Sequence, residues 1–130
     1  MYFTRTLFRA TQKVTTGLHG FPVHPNPRPA LLDLYKQTLS ELETKIPQHA
    51  VYRQATEAIT KHRMNIVEKT EDVNEIEKTV GAGQIEELIS AAETELRLIP
   101  YLAEAKPWEP LEEPAPEGQW AYFKNQTSTS

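Results

Sequence analysis

The ten prolines of this chain are distributed unevenly, and that distribution limits what the chain can fold into. They gather near the two ends, and only Pro47 stands between the two groups. Proline removes a backbone donor and disrupts the interior of a helix. The pattern therefore predicts a helical middle between two extended segments, which hold Pro22, Pro25, Pro27 and Pro29 on one side and Pro100, Pro107, Pro110, Pro114 and Pro116 on the other.

Apolar residues in the middle of the chain recur every three or four positions, which is the spacing of one helix face. This spacing predicts long helices from about Ala30 to Lys45, from Ala50 to Lys69 and from Gln84 to Ala103. A short helix is predicted from Glu71 to Val80, with Asp72 as its cap. The fold class is therefore predicted to be all-α: a three-helix bundle, plus a possible short helix, with extended proline-rich arms.

The apolar faces of the long helices predict the core of the bundle. Leu31, Leu39, Ile59, Leu88 and Leu96 are expected inside. Pro100 is expected to end or kink the last helix near Ile99. The full predicted faces are Leu31, Tyr35, Leu39, Leu42 and Ile46; then Val51, Ala55, Ile59, His62 and Ile66; then Ile85, Leu88, Ile89, Ala92, Leu96, Ile99 and Ala103.

Charge is divided along the chain at Asp33, the first acidic residue. A leader that contains arginine and Ser/Thr but no acids resembles a mitochondrial targeting segment, and an unstructured basic tail is the alternative interpretation. From Asp33 onward the chain is acidic, which argues against a nucleic-acid partner. The basic residues before that point are Arg5, Arg9, Lys13 and Arg28.

These patterns divide the chain into three regions: a basic, targeting-like arm at 1–29, a helical bundle at 30–103 and an extended tail at 104–130. The tail contains both tryptophans of the chain, Trp108 and Trp120. Disordered tails have few large aromatic residues, and each tryptophan can bury on the order of 150–250 Å². We therefore expect the tail to lie on a surface, either of its own bundle or of a partner.

The sequence contains no arrangement that predicts catalysis or cofactor binding. Without cysteine there is no disulfide, no cysteine-ligated metal site and no thiol nucleophile. Gly81-Ala82-Gly83 is too short for a phosphate loop. No Glu-x-x-His of the di-iron type occurs, and no apolar run approaches the ~20 residues of a membrane span. The four histidines are too far apart to form a helical metal pair: His19, His24, His49 and His62.

Several ordered segments resemble the alpha-subcomplex subunit 5 family of mitochondrial NADH:ubiquinone oxidoreductase, complex I. The resemblance extends from about Thr15 to Trp120, and its most specific part is the run Lys106 to Leu111. Other matching segments are Thr15-Thr16-Gly17-Leu18, Leu34-Tyr35, Ile46-Pro47, Tyr52-Arg53, Thr56-Glu57, Asp72-Val73, Gly83-Gln84, Glu86-Glu87, Glu95-Leu96 and Gln119-Trp120.

The resemblance implies a non-catalytic accessory subunit without cofactor or metal. It implies a position on the matrix-facing hydrophilic arm of complex I, peripheral to the mitochondrial inner membrane. The implied partners are core subunits, notably the iron–sulfur protein 3 core subunit, together with other accessory subunits. The alternative is a transient helical assembly factor or adaptor that leaves before the complex matures.

Four residues are predicted to contact a partner. Trp108 and Trp120 are the expected anchors, because interface energy concentrates in aromatic and arginine side chains. Arg53 and Tyr35 are further candidates. For Arg53 the alternative is an intrahelical ion pair with Glu57, four residues on.

Overall fold

The computed structural model describes residues 13–120 and Tyr122, and within them the chain forms four helices and no strand. The helices are α1 (Pro27–Lys45), α2 (Val51–Lys69), α3 (Val73–Val80) and α4 (Ile85–Ala105). The predicted all-α class is confirmed. The predictions made for the residues before Lys13, and for most of those after Trp120, fall outside the described part.

Helix ends follow local chemistry. Pro27 stands at the start of α1, where the missing N–H of proline has no intrahelical partner to lose. The Asp72 side chain accepts a hydrogen bond from the backbone N–H of Asn74 at 3.1 Å and so caps α3, as predicted. α3 ends at Gly81, whose φ of +67° is the left-handed conformation that favours glycine.

Pro100 was expected to end or kink the last helix, and an end there is wrong, because α4 continues past it to Ala105, near the predicted end at Ala103. The kink stays a prediction. Pro100 is exposed, whereas Ile99 is fully buried and Leu102 and Ala103 pack against the same cluster. Packing on both sides of the proline therefore stabilises the helix enough to offset one lost backbone hydrogen bond.

α1 lies between α2 and α4 and packs against both, with its larger contact to α4. The direct contact between α2 and α4 is small. Two buried clusters result, one at each end of α1. The first contains Leu31, Tyr35, Val67, Ile76, Ile85, Leu88, Ile89 and Ala92, and the second contains Leu42, Ile46, Ala50 and Ile99.

The predicted core faces of α1 and α4 are largely buried, but the predicted face of α2 is not. Ile59, expected inside, is 53% exposed, and Val51 is 77% exposed. The residues of α2 that are buried are Thr60 and Val67. Each follows a predicted core position, Ile59 or Ile66, by one residue. One residue corresponds to a rotation of about 100° around the helix axis, so α2 turns its most apolar stripe away from the bundle.

Candidate docking surface

The stripe that α2 presents to solvent is apolar over about three turns. We define the α2 stripe as the apolar residues Val51, Ala55, Ala58 and Ile59 with the polar His62 at its end, all of which are exposed. Their spacing of three and four residues puts them on one side of the helix, along roughly 17 Å. A contiguous exposed apolar surface on a small protein is typical of a site that binds another protein.

Hydrogen bonds at the carboxyl-terminal end of α2 hold this orientation. The Arg28 guanidinium donates to the carbonyl oxygen of Val67 from Nε at 3.1 Å and from Nη2 at 2.8 Å. Nη2 also donates to the carbonyl oxygen of Glu68 at 3.3 Å. These carbonyls belong to the last turn of α2 and have no helical donor. Arg28, counted by sequence among the residues of the basic arm, thus attaches the end of α2 to the start of α1.

A second set of contacts holds the amino-terminal end of α2. The Tyr52 hydroxyl donates a short hydrogen bond to Oε1 of Glu95 in α4. Burial raises the pKa of Tyr52, and the Glu95 carboxylate raises it further. Because Tyr52 is directed toward α4, its neighbour Val51 faces solvent.

Arg53, one of the four predicted partner-binding residues, makes contacts within the chain. Its Nη1 donates to the carbonyl oxygen of Ile46 at 2.9 Å, and its Nε lies 3.4 Å from Oε2 of Glu57. The intrahelical pair that the sequence offered as the alternative is therefore present. Partner contact by Arg53 stays a prediction.

Tyr35 lies in the first core cluster and is only 4% exposed. Burial raises the pKa of its hydroxyl, and the nearby Arg63 guanidinium partly opposes this. The predicted apolar face of α1 is thus correct at this position, and the side chain serves the core. Contact between Tyr35 and a partner stays a prediction.

The two tryptophans of the tail differ in their surroundings. Trp108 is half-buried and packs against the second core cluster, just after Lys106 ends α4 with a left-handed φ of +51°. Trp120 is 77% exposed and meets Tyr122 edge-on, with 6.2 Å between ring centroids. The tail thus returns to its own bundle at Trp108 and leaves an aromatic pair exposed further on.

The junction between α3 and α4 holds a group of charged side chains that includes Lys13, Glu77 and Glu86. Lys13 Nζ lies 2.5 Å from Glu86 Oε2 and 2.7 Å from Gln84 Oε1. Glu86 also accepts from the backbone N–H of His24 at 3.3 Å. Burial alone would raise the pKa of Glu86, but these donors and the Lys13 charge outweigh it and lower that pKa.

A cavity of about 730 Å³ lies beside this charged group. Its lining combines apolar side chains such as Val23 and Val73 with the carboxylates of Asp72, Glu77 and Glu86. This arrangement could not be predicted from the sequence, because Lys13 and Glu86 lie 73 residues apart along the chain and only the fold brings them together.

Within the described part of the chain, no three His, Asp or Glu side chains group as they would to hold a metal ion. No helix in the described part is long and apolar enough to cross a bilayer. What the arrangement offers is an apolar helix side and an exposed aromatic pair, which are features of a protein that acts by binding other proteins.

Comparison with known proteins identifies the family. The family model described as "ETC complex I subunit conserved region" matches residues 20–87. That match includes α1, α2, α3 and the first turn of α4. It therefore contains the whole α2 stripe, together with Arg28 and Arg53, whose side chains donate to the backbone carbonyls of Val67 and Ile46.

Several curated relatives match over most of the chain. NADH dehydrogenase (ubiquinone) 1 alpha subcomplex subunit MCI4 of Candida albicans is 48% identical over 120 residues, which cover 92% of this chain and 86% of that protein. The probable subunit 5 of Caenorhabditis elegans is 44% identical over 85% of this chain and 73% of its own length. Subunit 5 of Mus musculus is 42% identical over 85% of this chain and 94% of its own length.

These matches show that the chain belongs to the complex I alpha subcomplex subunit 5 family. Members of this family are non-catalytic accessory subunits of complex I in the mitochondrial respiratory chain. The resemblance inferred from the sequence segments is therefore confirmed, and the surface of the molecule, rather than a reaction centre, is where its function is to be sought.

Proposed function

We propose that this chain docks on the matrix-facing hydrophilic arm of complex I, at the iron–sulfur protein 3 core subunit, and supports assembly or stability of that arm. In this proposal it is peripheral to the mitochondrial inner membrane and contacts other subunits without spanning the bilayer. Membership of the family supports a role as a complex I accessory subunit.

The observation that carries the proposal is the exposed α2 stripe. Val51 and Ile59 are 77% and 53% exposed in the chain alone. Removing a side chain of this type from water contributes about 1.5–3 kcal/mol. A helix that leaves two such side chains and two alanines in water gains stability when a partner covers them. The Arg28 contact with the last carbonyls of α2 and the Tyr52 contact with Glu95 keep the stripe in place for that partner.

The carboxyl-terminal tail supplies a second contact. Trp120 and Tyr122 are both 77% exposed. Tryptophan and tyrosine are enriched among the residues that dominate interface energies. Trp120 is therefore the aromatic anchor of the proposed contact with a partner, whereas Trp108 contributes mainly by packing the tail against the bundle.

Native-gel electrophoresis of detergent-solubilised mitochondria tests whether the chain is a lasting subunit. The chain is blotted beside an in-gel NADH dehydrogenase stain. We expect co-migration with the active complex at near one copy each. Recovery only in small subcomplexes, or of the free chain, would instead favour the transient assembly factor.

A pair of variants tests the α2 stripe itself. Ile59→Lys introduces a charge into the stripe, and Ser40→Lys introduces the same charge on the exposed side of α1. We expect Ile59→Lys to reduce the amount of chain in the complex at least tenfold and Ser40→Lys to leave it unchanged. Equal incorporation of both variants contradicts the proposed surface.

The partner is identified by a photoreactive side chain at position 55, in the middle of the stripe. We expect a cross-linked product that contains the iron–sulfur protein 3 core subunit. A product with another complex I subunit would contradict the proposed location and leave the role of the stripe intact.

A further inference from the structure

The segment from Lys13 to His24 is attached to the helical bundle by side chains at the α3–α4 junction. Gln84 Nε2 donates to the carbonyl oxygen of Thr16 at 2.6 Å. Thr16, which is 7% exposed, donates through its hydroxyl to the carbonyl oxygen of Phe21 at 2.5 Å. Together with the His24–Glu86 bond, these contacts make the segment a fixed part of the folded body.

Lys13 supplies the positive charge at this attachment. Its ammonium group lies 2.5 Å from Glu86 Oε2 and 3.5 Å from Glu77 Oε1. The Glu86 side chain is 5% exposed, whereas the Lys13 side chain is 31% exposed. A buried carboxylate that loses its cation is strongly unfavourable, because water cannot replace the missing charge.

The acceptors of Lys13 are also part of the helix start. Glu77 Oε1 accepts from the backbone N–H of Ile85, the first residue of α4, at 2.9 Å. Glu87 Oε2 accepts from the backbone N–H of Gln84 at 2.7 Å. The ammonium group therefore holds together side chains that fix where α4 begins, and α4 makes the largest contact with α1.

We infer that Lys13 belongs to the folded body as the cation of Glu86 and that any proteolytic removal of the basic leader in mitochondria stops before it. Composition alone groups Lys13 with the acid-free leader, whereas its contacts with Gln84 and Glu86 place it in the folded body. The inference depends on contacts among described residues and is independent of the docking proposal.

The first test maps the amino terminus of the chain isolated from mitochondria by intact-mass and fragmentation mass spectrometry. A mature chain that begins at Lys13 or at any earlier residue supports the inference. A mature chain that begins at Val14 or later overturns it, whether or not that chain is found in complex I.

The second test compares full-length variants by thermal unfolding. Lys13→Met keeps much of the apolar stem and removes the charge, and Lys36→Met makes the same change at an exposed position on α1. We expect the Tm of Lys13→Met to fall by roughly 5–10 °C and that of Lys36→Met to remain unchanged. Lys13→Arg, which keeps the charge, should recover at least half of the loss.

Equal Tm values for Lys13→Met and Lys36→Met would overturn the inference, because Glu86 would then not need this cation. A Lys13→Arg variant as unstable as Lys13→Met would also overturn it, because the effect would then come from the shape of the stem. Failure of the docking proposal would appear in incorporation and not in either of these measurements.

Discussion

Helices α2 and α4 have apolar stripes with the same spacing, yet the stripe of α4 is buried and that of α2 is exposed. In α4 the stripe forms the core, with Ile85, Leu88 and Ile99 almost fully buried. In α2 the equivalent stripe faces solvent at Val51 and Ile59. Helical periodicity therefore predicts that a face needs covering, but it does not predict whether the same chain covers it.

The difference arises from polar contacts at the ends of α2. Arg28 binds the last carbonyls of the helix, and Tyr52 binds Glu95 across to α4. Both fix the rotation of α2 about its axis, and neither is visible in hydrophobic spacing. In a protein that belongs to a multi-subunit complex, an apolar stripe held away from its own core is consistent with a binding surface.

The largest expected contrast is between Leu88→Ala and Ile59→Ala in the isolated full-length chain. Leu88 is 1% exposed in α4, so its truncation leaves a cavity and should lower the free energy of unfolding by about 2–5 kcal/mol. Ile59 is largely in water, so the same change in α2 should alter it by no more than about 0.5 kcal/mol. Urea denaturation followed by circular dichroism measures both.

The two outcomes of this measurement separate two orientations of α2. If Ile59→Ala costs as much as Leu88→Ala, the predicted bundle with Ile59 inside is correct and α2 is rotated relative to the orientation described here. If Ile59→Ala is neutral for stability and harmful for incorporation, the side chain serves an interface.

Much of the fold could be predicted from the sequence, because helix ends and the faces of α1 and α4 depend on local signals. Asp72 and Gly81 mark the two ends of α3, as the sequence indicated. The orientation of α2 could not be predicted, since it depends on contacts between residues 39 and 43 positions apart. At Pro100 the local rule predicted an end or a kink, but packing of Ile99 and Leu102 accompanies a helix that continues to Ala105, close to the predicted end at Ala103.

The candidate surface was only partly accessible to sequence reasoning. Aromatic content drew attention to the tail, but it could not distinguish Trp108, which packs on the bundle, from Trp120, which is exposed, and partner contact by either stays a prediction. Tyr35 and Arg53 carried the residue types of an interface, and the structure gives both of them contacts within the chain. Residue type alone does not report on which neighbours a side chain has.

A smaller effect is expected from Tyr52→Phe, which removes the hydrogen bond that joins α2 to α4. The free energy of unfolding should fall by about 0.5–1.5 kcal/mol, because Glu95 loses a donor in a half-buried position. Tyr101→Phe is the matched control, since Tyr101 is 73% exposed on α4 and its change should be close to neutral. Equal effects for the two variants would mean that the Tyr52 hydroxyl does not fix α2.

The smallest expected contrast concerns acid sensitivity, because both helices carry a glutamate whose pKa is lowered by lysine. In α2, hydrogen bonding from Lys61 lowers the pKa of Glu57. In α4, the Lys13 and backbone donors lower that of Glu86 against the opposing effect of burial. A carboxylate with a lowered folded-state pKa stabilises the fold above its unfolded value of about 4.3, and this contribution is lost as pH falls through the folded value.

We therefore expect Glu86→Gln to flatten the loss of stability between about pH 5 and pH 3 more than Glu57→Gln does, in thermal unfolding measured across that range. Glu86 is 5% exposed at its side chain and Glu57 is 30% exposed, so solvent screens the second pair more. Glu77 shares Lys13 with Glu86, which limits the change that one substitution can produce. Salt distinguishes the two pairs further: at about 0.5 M NaCl the Glu57 effect should nearly vanish, whereas the Glu86 effect should persist. Equal salt sensitivity would mean that the Lys13–Glu86 contact is as solvated as a surface pair, and the charged group at the start of α4 would then contribute no more to the fold than the exposed side of α2.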